Sequence, residues 1–387
     1  MITKGFTYVA FLIFFAAMIV LAEKKSKGKF FTYVPAIVLL YFGAMLLSTF
    51  GVWDNSSKEI TAVYKGLKDN LLPAMIFLML LRCDLRKIVK LGPKMLIGFF
   101  AATATIMIGF IVTFIMFKGF YEPDTWKAFA ALSGSWIGGT GNMVAVQGAL
   151  DIPDAKLGYT LLMDSINYSM WVMFLLWAVS LAPKFNKWTK ANTQVIDEIG
   201  AELSKGNEDL RKEVQFSDII ILLGISLFVS ALAIYFGNML PKSTFFQGTT
   251  WTILIVTAAG IICAMTPIAK IPGASQLSNL MLYTIVALIA SRANFAELTK
   301  APIYIISGFS ILGIHAILLC LIGKLLKLDL FTLGVASLAN IGGVASAPIL
   351  AGAYSEALVP IGVLMALMGY IVGTGGGLLV GKILSIM

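Results

Sequence analysis

Leu132-Ser133-Gly134-Ser135-Trp136-Ile137-Gly138-Gly139-Thr140-Gly141-Asn142 decides how this chain is read. It lies inside an apolar run of membrane length, yet its centre is glycine and hydroxyl residues that disfavour a continuous helix. The stretch recurs. Ser337-Leu338-Ala339-Asn340-Ile341-Gly342-Gly343-Val344-Ala345-Ser346-Ala347-Pro348 aligns with 133–144 without a gap. Carried on to Asp151 and Ser355, the alignment matches Ser133 with Ser337, Ile137 with Ile341, Gly138 with Gly342 and Gly139 with Gly343. It also matches Gly148 with Gly352 and Ala149 with Ala353. Such agreement marks an internal repeat. Two glycine-broken apolar segments at matching places in two halves point to a transporter's binding site.

Composition sets the class. The chain has 387 residues, of which 59% are hydrophobic and 13% charged, against about 25% charged in a soluble domain. It is therefore expected to be an all-α polytopic membrane protein. The net charge of +9 comes from lysines in short loops between apolar runs, where they orient the chain in the bilayer and do not bind nucleic acid. Cys83, Cys263 and Cys320 are far apart and lack metal-ligand spacing. One histidine, His315, leaves no material for zinc, haem or Ser-His-Asp chemistry. With no converging nucleophile, base or metal set, the chain is not expected to be an enzyme and needs no cofactor beyond a coupling Na+ or H+.

Outward from the two motifs, apolar runs fall at about 5–22, 33–50, 65–81, 95–117, 125–150 and 159–182, then at 217–240, 249–266, 276–291, 302–325, 329–352 and 356–384. These define a first repeat over 1–182, a hydrophilic linker over 183–216 and a second repeat over 217–387, with the broken helices near 125–150 and 329–352. The first run precedes Glu23–Lys29, the reverse of a signal peptide's charge order, so it reads as an uncleaved anchor. Gly51 to Asp69 reads as an outside loop. The halves correspond beyond the motif: Arg82-Cys83-Asp84-Leu85 with Arg292-Ala293-Asn294-Phe295, Lys90 with Lys300, and Asn167-Tyr168 with Gly369-Tyr370. Twelve crossings would make the repeats parallel. The basic flanks at Arg82–Lys94 and at Lys324 and Lys327 both belong in the cytoplasm, however, and favour an inverted pair.

Backbone in hydrocarbon must satisfy its own hydrogen bonds, so a break survives only when buried in protein or lining a cavity. Each glycine break would end one half-helix and start another, presenting carbonyls on one side and free N–H groups on the other. Pro348 would suit the first turn of the second half-helix. A cation or solute is expected at Ser133, Ser135, Gly138, Gly139, Thr140 and Asn142 in the first half, and at Ser337, Asn340, Gly342, Gly343 and Ser346 in the second. Asp164, a carboxylate inside an apolar run, is the expected ion or proton carrier, with Asn167 one turn on and Gln147 as further lining. A sodium ion would be held by Ser133, Asn142, Asp164 and Asn340. His315 reads as a hydrogen-bonded packing residue. The run Tyr370–Gly377 lacks the strand and lysine of a phosphate loop and reads as a helix packed closely on a broken one.

The first motif, with Asn340-Ile341-Gly342-Gly343 and Ala347-Pro348, resembles the YjcL-like bacterial membrane proteins, a family long catalogued as a domain of unknown function. The resemblance covers nearly the whole chain. It implies membership of the superfamily of cation/proton antiporters and anion transporters that includes bile-acid-type sodium symporters. It further implies a core domain in which 138–141 and 342–347 cross near the midplane, a panel domain beside it, and alternating access by movement between the two. A bacterial cytoplasmic membrane is the implied location. Many antiporter members carry paired acids, or Asn-Asp, directly after the crossing, whereas here Asp164 alone is a clear intramembrane acid. The expected function is secondary active transport of a small anionic or zwitterionic organic solute coupled to sodium or protons. The alternatives are a monovalent cation/proton antiporter using Asp164 and, more remotely, a membrane sensor or channel. The expected partners are the solute, a coupling cation and the lipid bilayer, with homodimerisation left open.

Overall fold

The computed structural model describes all residues except 27–29, 34–35, 155–156, 192–212, 243–246, 294–300 and 356–357. Most of the linker therefore lies outside the described residues; its start forms a short helix, Ala182–Thr189. The main helices are α1 (Gly5–Lys25), α2 (Ala36–Thr49), α3 (Lys58–Leu80), α4 (Gly92–Phe117), α5 (Thr125–Gly138), α6 (Thr140–Ala149) and α7 (Leu157–Ala178). The second half supplies α8 (Phe216–Met239), α9 (Gly248–Ala264), α10 (Ala274–Ala290), α11 (Ala301–Leu326), α12 (Leu330–Ile341), α13 (Gly343–Tyr354) and α14 (Val359–Leu384). Six of these, α1, α4, α7, α8, α11 and α14, are long and apolar enough to cross a membrane. The chain is an all-helical, multi-pass membrane protein.

Local chemistry sets several helix starts. Ser57 caps α3 by accepting from the Ile60 N–H, with Glu59 in the first turn against the helix dipole. The expected outside loop to Asp69 is accordingly helical from Lys58 onward. Asp329 caps α12, its carboxylate accepting from the Thr332 N–H at 2.8 Å and from Thr332 Oγ1 at 2.8 Å. Pro348 sits in the second turn of α13, which starts at Gly343. The expectation of a first-turn proline is thus corrected: the glycines themselves supply the start.

Both expected breaks are present, at Gly139 and at Gly342-Gly343. Their geometry corrects the expected crossing. Placed end to end, α12 and α13 would separate Phe331 from Tyr354 by roughly 35 Å at 1.5 Å per residue. Their ring centroids are 5.3 Å apart. In the first half, a methyl group placed on Gly134 would lie 2.9 Å from Val146 Cγ2 and 3.1 Å from the Asn142 carbonyl oxygen. Each segment therefore doubles back as a helical hairpin, α5–α6 (hairpin 1) and α12–α13 (hairpin 2), with the glycines at its tip. The reversal needs positive-φ backbone, which glycine holds most cheaply: Gly139 has φ +88° and the aligned Gly343 has φ +59°.

The helix ends form two groups. At one end of the bundle, Trp53 Nε1 donates to the Ser291 carbonyl at 3.0 Å, Arg292 to the Asn55 carbonyl at 2.8 Å, and Thr250 Oγ1 to the Ala149 carbonyl at 2.6 Å. Lys118 also donates to the Met387 carbonyl there. At the other end, Arg82 Nη1 donates to Ser275 Oγ at 3.2 Å and the Leu330 N–H to Asn186 Oδ1 at 2.9 Å, while Lys324 donates to the Trp188 carbonyl. Hairpin 1 starts and finishes at the first end, and hairpin 2 at the second.

Apolar packing follows neither half of the sequence. One core joins α1, α2, α3, α8, α9 and α10, with Ala130, Ala131, Met143–Val146 and Ala149 of hairpin 1, Leu161 of α7, and Leu367 and Leu378 of α14 against it. The other joins α4, α5, α7, α11, α12, α13 and α14. The helix α14 lies between the hairpins. A methyl group on Gly369 would meet the Ile137 and Ala339 carbonyl oxygens at 2.8 and 3.2 Å, and one on Gly377 would meet Val146 Cγ2 at 2.7 Å and Gly134 Cα at 3.0 Å. Small residues four apart let the backbones touch, and the glycine run near the end of the chain serves that close packing.

Candidate functional site

A cavity of about 220 Å³ lies where the two hairpin tips meet the first core. Gly139, Thr140 and Gly141 line it from hairpin 1, and Ile341–Ala345 from hairpin 2. Leu161, Asp164, Ser165 and Tyr168 of α7 and Tyr370 of α14 complete that side. The opposite wall is Ile37 and Val38 of α2, Met79 of α3 with Arg82 just beyond it, and Ser278, Asn279 and Leu282 of α10. The pocket is thus shared between the two packed units.

Its chemistry centres on two charges. Asp164 accepts from Ser135 Oγ at 3.1 Å on one carboxylate oxygen and from Trp136 Nε1 at 2.9 Å on the other. Indole N–H is donor only, so Asp164 Oδ1 is the acceptor in that contact. A carboxylate has about four lone-pair sites, which leaves capacity for a cation. Arg82 is half-buried, makes its hydrogen bond to Ser275 Oγ, and has no carboxylate within ion-pair distance among the described residues. A guanidinium presents five donors in a planar fork, so one hydrogen bond leaves most of its capacity for a ligand at the pocket wall. Two helices begin at the tips, α6 at Thr140 and α13 at Gly343, and bring free N–H groups to the same space.

Of the residues expected from sequence, the cavity brings together Ser135, Gly139, Thr140, Asp164, Gly342 and Gly343. The others lie elsewhere, and each position has a physical reason. Gly138 is behind the tip, where a side chain would collide with the Gly369 carbonyl and Asn142. Asn142 and Asn340 hold the hairpins themselves. Asn142 Nδ2 donates to the Gly138 carbonyl at 2.7 Å and its Oδ1 accepts from Thr374 Oγ1 at 2.7 Å. Asn340 does the same with the Ala336 carbonyl at 2.9 Å and Thr103 Oγ1 at 2.8 Å. Ser133 Oγ is committed to the Ala130 carbonyl at 2.8 Å. The sodium set Ser133, Asn142, Asp164 and Asn340 therefore does not converge.

Ser337 belongs to a buried chain: Trp171 Nε1 donates to its hydroxyl at 2.9 Å, His315 Nε2 lies 2.8 Å from it, and His315 Nδ1 lies 2.8 Å from Thr105 Oγ1. His315 is fully buried and hydrogen-bonded, as expected of a packing residue. Asn167 turns away from Asp164 and donates to the Ile305 carbonyl of α11 at 3.1 Å. Ser346 is buried against Gly342.

Gln147 sits outside the cavity, at the first end of the bundle. Its Nε2 donates to Asp154 Oδ1 at 2.7 Å, and Lys68 Nζ lies 3.3 Å from the same oxygen. Tyr64 OH donates to Asp154 Oδ2. The side chains of Lys68 and Asp154 are only 16% and 14% exposed. This polar knot ties the foot of hairpin 1 to α3.

Arg82, Tyr168, Tyr370, Ser278 and Asn279 are cavity residues that sequence reasoning missed. Arg82 reads as one of several topogenic basic residues. Tyr168 and Tyr370 align between the halves, and that pairing is their signal in the sequence. In space each stands at the other half's tip: Tyr168 against Gly342, and Tyr370 Cε1 3.8 Å from a methyl group placed on Gly139.

With this geometry in hand, the chain can be placed among known proteins. It belongs to the family described as "Protein of unknown function (DUF819)", whose profile matches residues 10–387. Among curated proteins it is similar to the "Uncharacterized membrane protein YjcL" of Bacillus subtilis (strain 168), 24% identical over 388 aligned residues, 96% of this chain and 95% of that protein.

Proposed function

We propose that this chain is a secondary active transporter of a bacterial cytoplasmic membrane. It would carry a small organic anion or zwitterion, coupled to sodium or protons by alternating access. One observation carries the reading: a cavity between two hairpin tips, shared by two packed units, with one guanidinium and one carboxylate on its wall. Arg82 takes the solute's carboxylate, for which its planar fork is suited. Asp164, with Ser135 and the tip of hairpin 1, takes the coupling ion. The apolar body of the solute rests on Ile37, Val38, Leu282 and the two tyrosines. Ion and solute then neutralise both charges at once, which favours their moving together.

The same reading makes the halves inverted repeats. Two of the twelve apolar runs return to the side they left, so each half crosses five times, and an odd number reverses the next half. This places the Arg82–Lys94 flank and Lys324 with Lys327 together on the cytoplasmic side, as the positive-inside rule asks. The exchange of partners supports it: Arg82 reaches Ser275 at the start of α10, and its counterpart Arg292 reaches Thr61 at the start of α3 at 3.1 Å.

The test is counterflow in proteoliposomes loaded with a panel of small carboxylates and amino acids, with and without a sodium gradient and at two pH values. Saturable exchange of at least one panel member, lost in Arg82→Gln, is expected. Exchange of cations for protons with no solute present would favour the antiport alternative. Binding without flux would leave a sensor.

A further inference from the structure

The two hairpins are equivalent in sequence and unequal in packing. On α6, the small-residue stripe Gly141, Ala145, Gly148 and Ala149 is turned onto the first core. Gly141 abuts Met79, and Gly148 abuts Leu72 with Ile253 Cδ1 3.5 Å from a methyl group placed there. The Ala149 carbonyl accepts from Thr250 Oγ1. This stripe is therefore docked on α3 and α9. The aligned stripe on α13 is Ala345, Ile349, Gly352 and Ala353. Ala345 and Ala353 are exposed, and Ile349 is 59% exposed, whereas its counterpart Ala145 is fully buried; Gly352 is half-buried, with Val359 Cγ2 of α14 3.3 Å from a methyl group placed there.

We propose that the cavity is the berth into which this largely uncovered stripe closes, and that exchange of the two docked hairpins is the motion that opens the site to the other face. The inference rests on the carrier reading above and adds the moving contact to it. In element order the counterparts of α3 and α9 are α10 and α2. Those two helices form most of the far wall of the cavity, through Ile37, Val38, Ser278, Asn279 and Leu282. The register set by Arg82 and Arg292 is also specific: carried back along both helices, it pairs Leu72 with Leu282. Leu72 now sits on Gly148, so the exchange places Leu282 on Gly352, a glycine aligned with Gly148, in the place Val359 Cγ2 now partly covers. Closure buries Ile349 and the cavity wall together, while the foot of hairpin 1 must release Thr250 and the Asp154 knot. One end seals as the other opens, which alternating access requires.

The experiment uses the full chain lacking Cys83, Cys263 and Cys320, with a protease site placed in the 192–212 linker. Leu282→Cys with Gly352→Cys is oxidised in native membranes, cut, and scored for fragments held together. Leu72→Cys with Gly148→Cys, in contact in this structure, is the positive control. Both pairs are expected to cross-link. Closing the 282–352 pair should slow impermeant maleimide labelling of a cavity reporter, Ser165→Cys, from the Arg82 side by at least tenfold. Separately, Ile349→Cys should react with the impermeant reagent from that side. A control pair that joins while 282–352 stays open overturns the proposal, as does an Ile349→Cys that only a lipid-soluble maleimide reaches. Cross-linking reads the motion without solute, so the two readings can fail separately. Counterflow without the 282–352 link removes the berth and leaves the carrier; the link without any counterflow does the reverse.

Discussion

Gly139→Ala separates a conformational requirement from a steric one. Gly139 has φ +88° and ψ 173°, a region that residues with a Cβ essentially never occupy, and holding one there costs about 1–3 kcal/mol. Space adds nothing, since the atom nearest to an added methyl is Tyr370 Cε1 at 3.8 Å, an ordinary contact. The whole cost is therefore backbone strain at the hairpin tip. In thermal unfolding of the purified protein in detergent, this corresponds to a Tm loss of roughly 2–6 °C. Gly343, its aligned partner, has φ +59° with no atom within 4 Å of an added methyl. That φ is the left-handed helical value, which asparagine tolerates far better than alanine does. Gly343→Asn is accordingly expected to recover most of the Tm lost in Gly343→Ala, and Gly139→Asn to recover little. A Gly139→Ala Tm within about 1 °C of the parent, or equal rescue by asparagine at both positions, would refute the tip geometry and the reasoning built on it.

Asp164→Asn keeps the shape beside Ser135 and Trp136 and removes the charge; it should abolish the sodium or pH dependence of counterflow while solute exchange persists, and an unchanged ion dependence would make Asp164 structural. Leucine at Gly139 should eliminate counterflow at near-normal expression, because the tip would fill the cavity from hairpin 1. Ser337→Ala strips Trp171 and His315 of their shared partner and should cost about 1–3 kcal/mol for each polar group left unmet, read as a Tm loss without a change in solute selectivity. Asp154→Asn breaks a buried pair with Lys68, for which losses of about 3–5 kcal/mol are typical; partial exposure puts this one at the lower end, and Tyr64→Phe should show a smaller loss in the same unfolding assay.

Much of the fold was legible because membrane helices write themselves as apolar length. The breaks at Gly139 and Gly342-Gly343, the glycine packing of α14 and the buried role of His315 all follow from residue type. The reversal at the tips did not. A glycine pair ends a helix equally well in a crossing and in a hairpin, and the choice is made by packing partners such as Phe331 with Tyr354, far apart in sequence. The same limit applies to the site. Asn142, Asn340 and Ser337 carry the polarity that suggests a ligand, yet each spends it inside the protein, since buried amides and hydroxyls must be satisfied wherever they lie. Arg82 was hidden for the opposite reason: in a flank of five basic residues nothing local distinguishes the one that faces a cavity.

On the hairpin reading, both glycine-broken segments return to the side they left, and they do so from opposite faces. Single cysteines at Glu122 and Asp151 flank hairpin 1, and at Lys327 and Ser355 flank hairpin 2; all four positions are exposed. Labelling with an impermeant maleimide in intact cells and in inverted vesicles reads their sides directly. Positions 122 and 151 are expected to react from outside, and 327 and 355 from the cytoplasm. If 122 and 151 label from opposite faces, the first motif crosses the membrane and the hairpin account is wrong. If all four label from one face, the repeats are parallel.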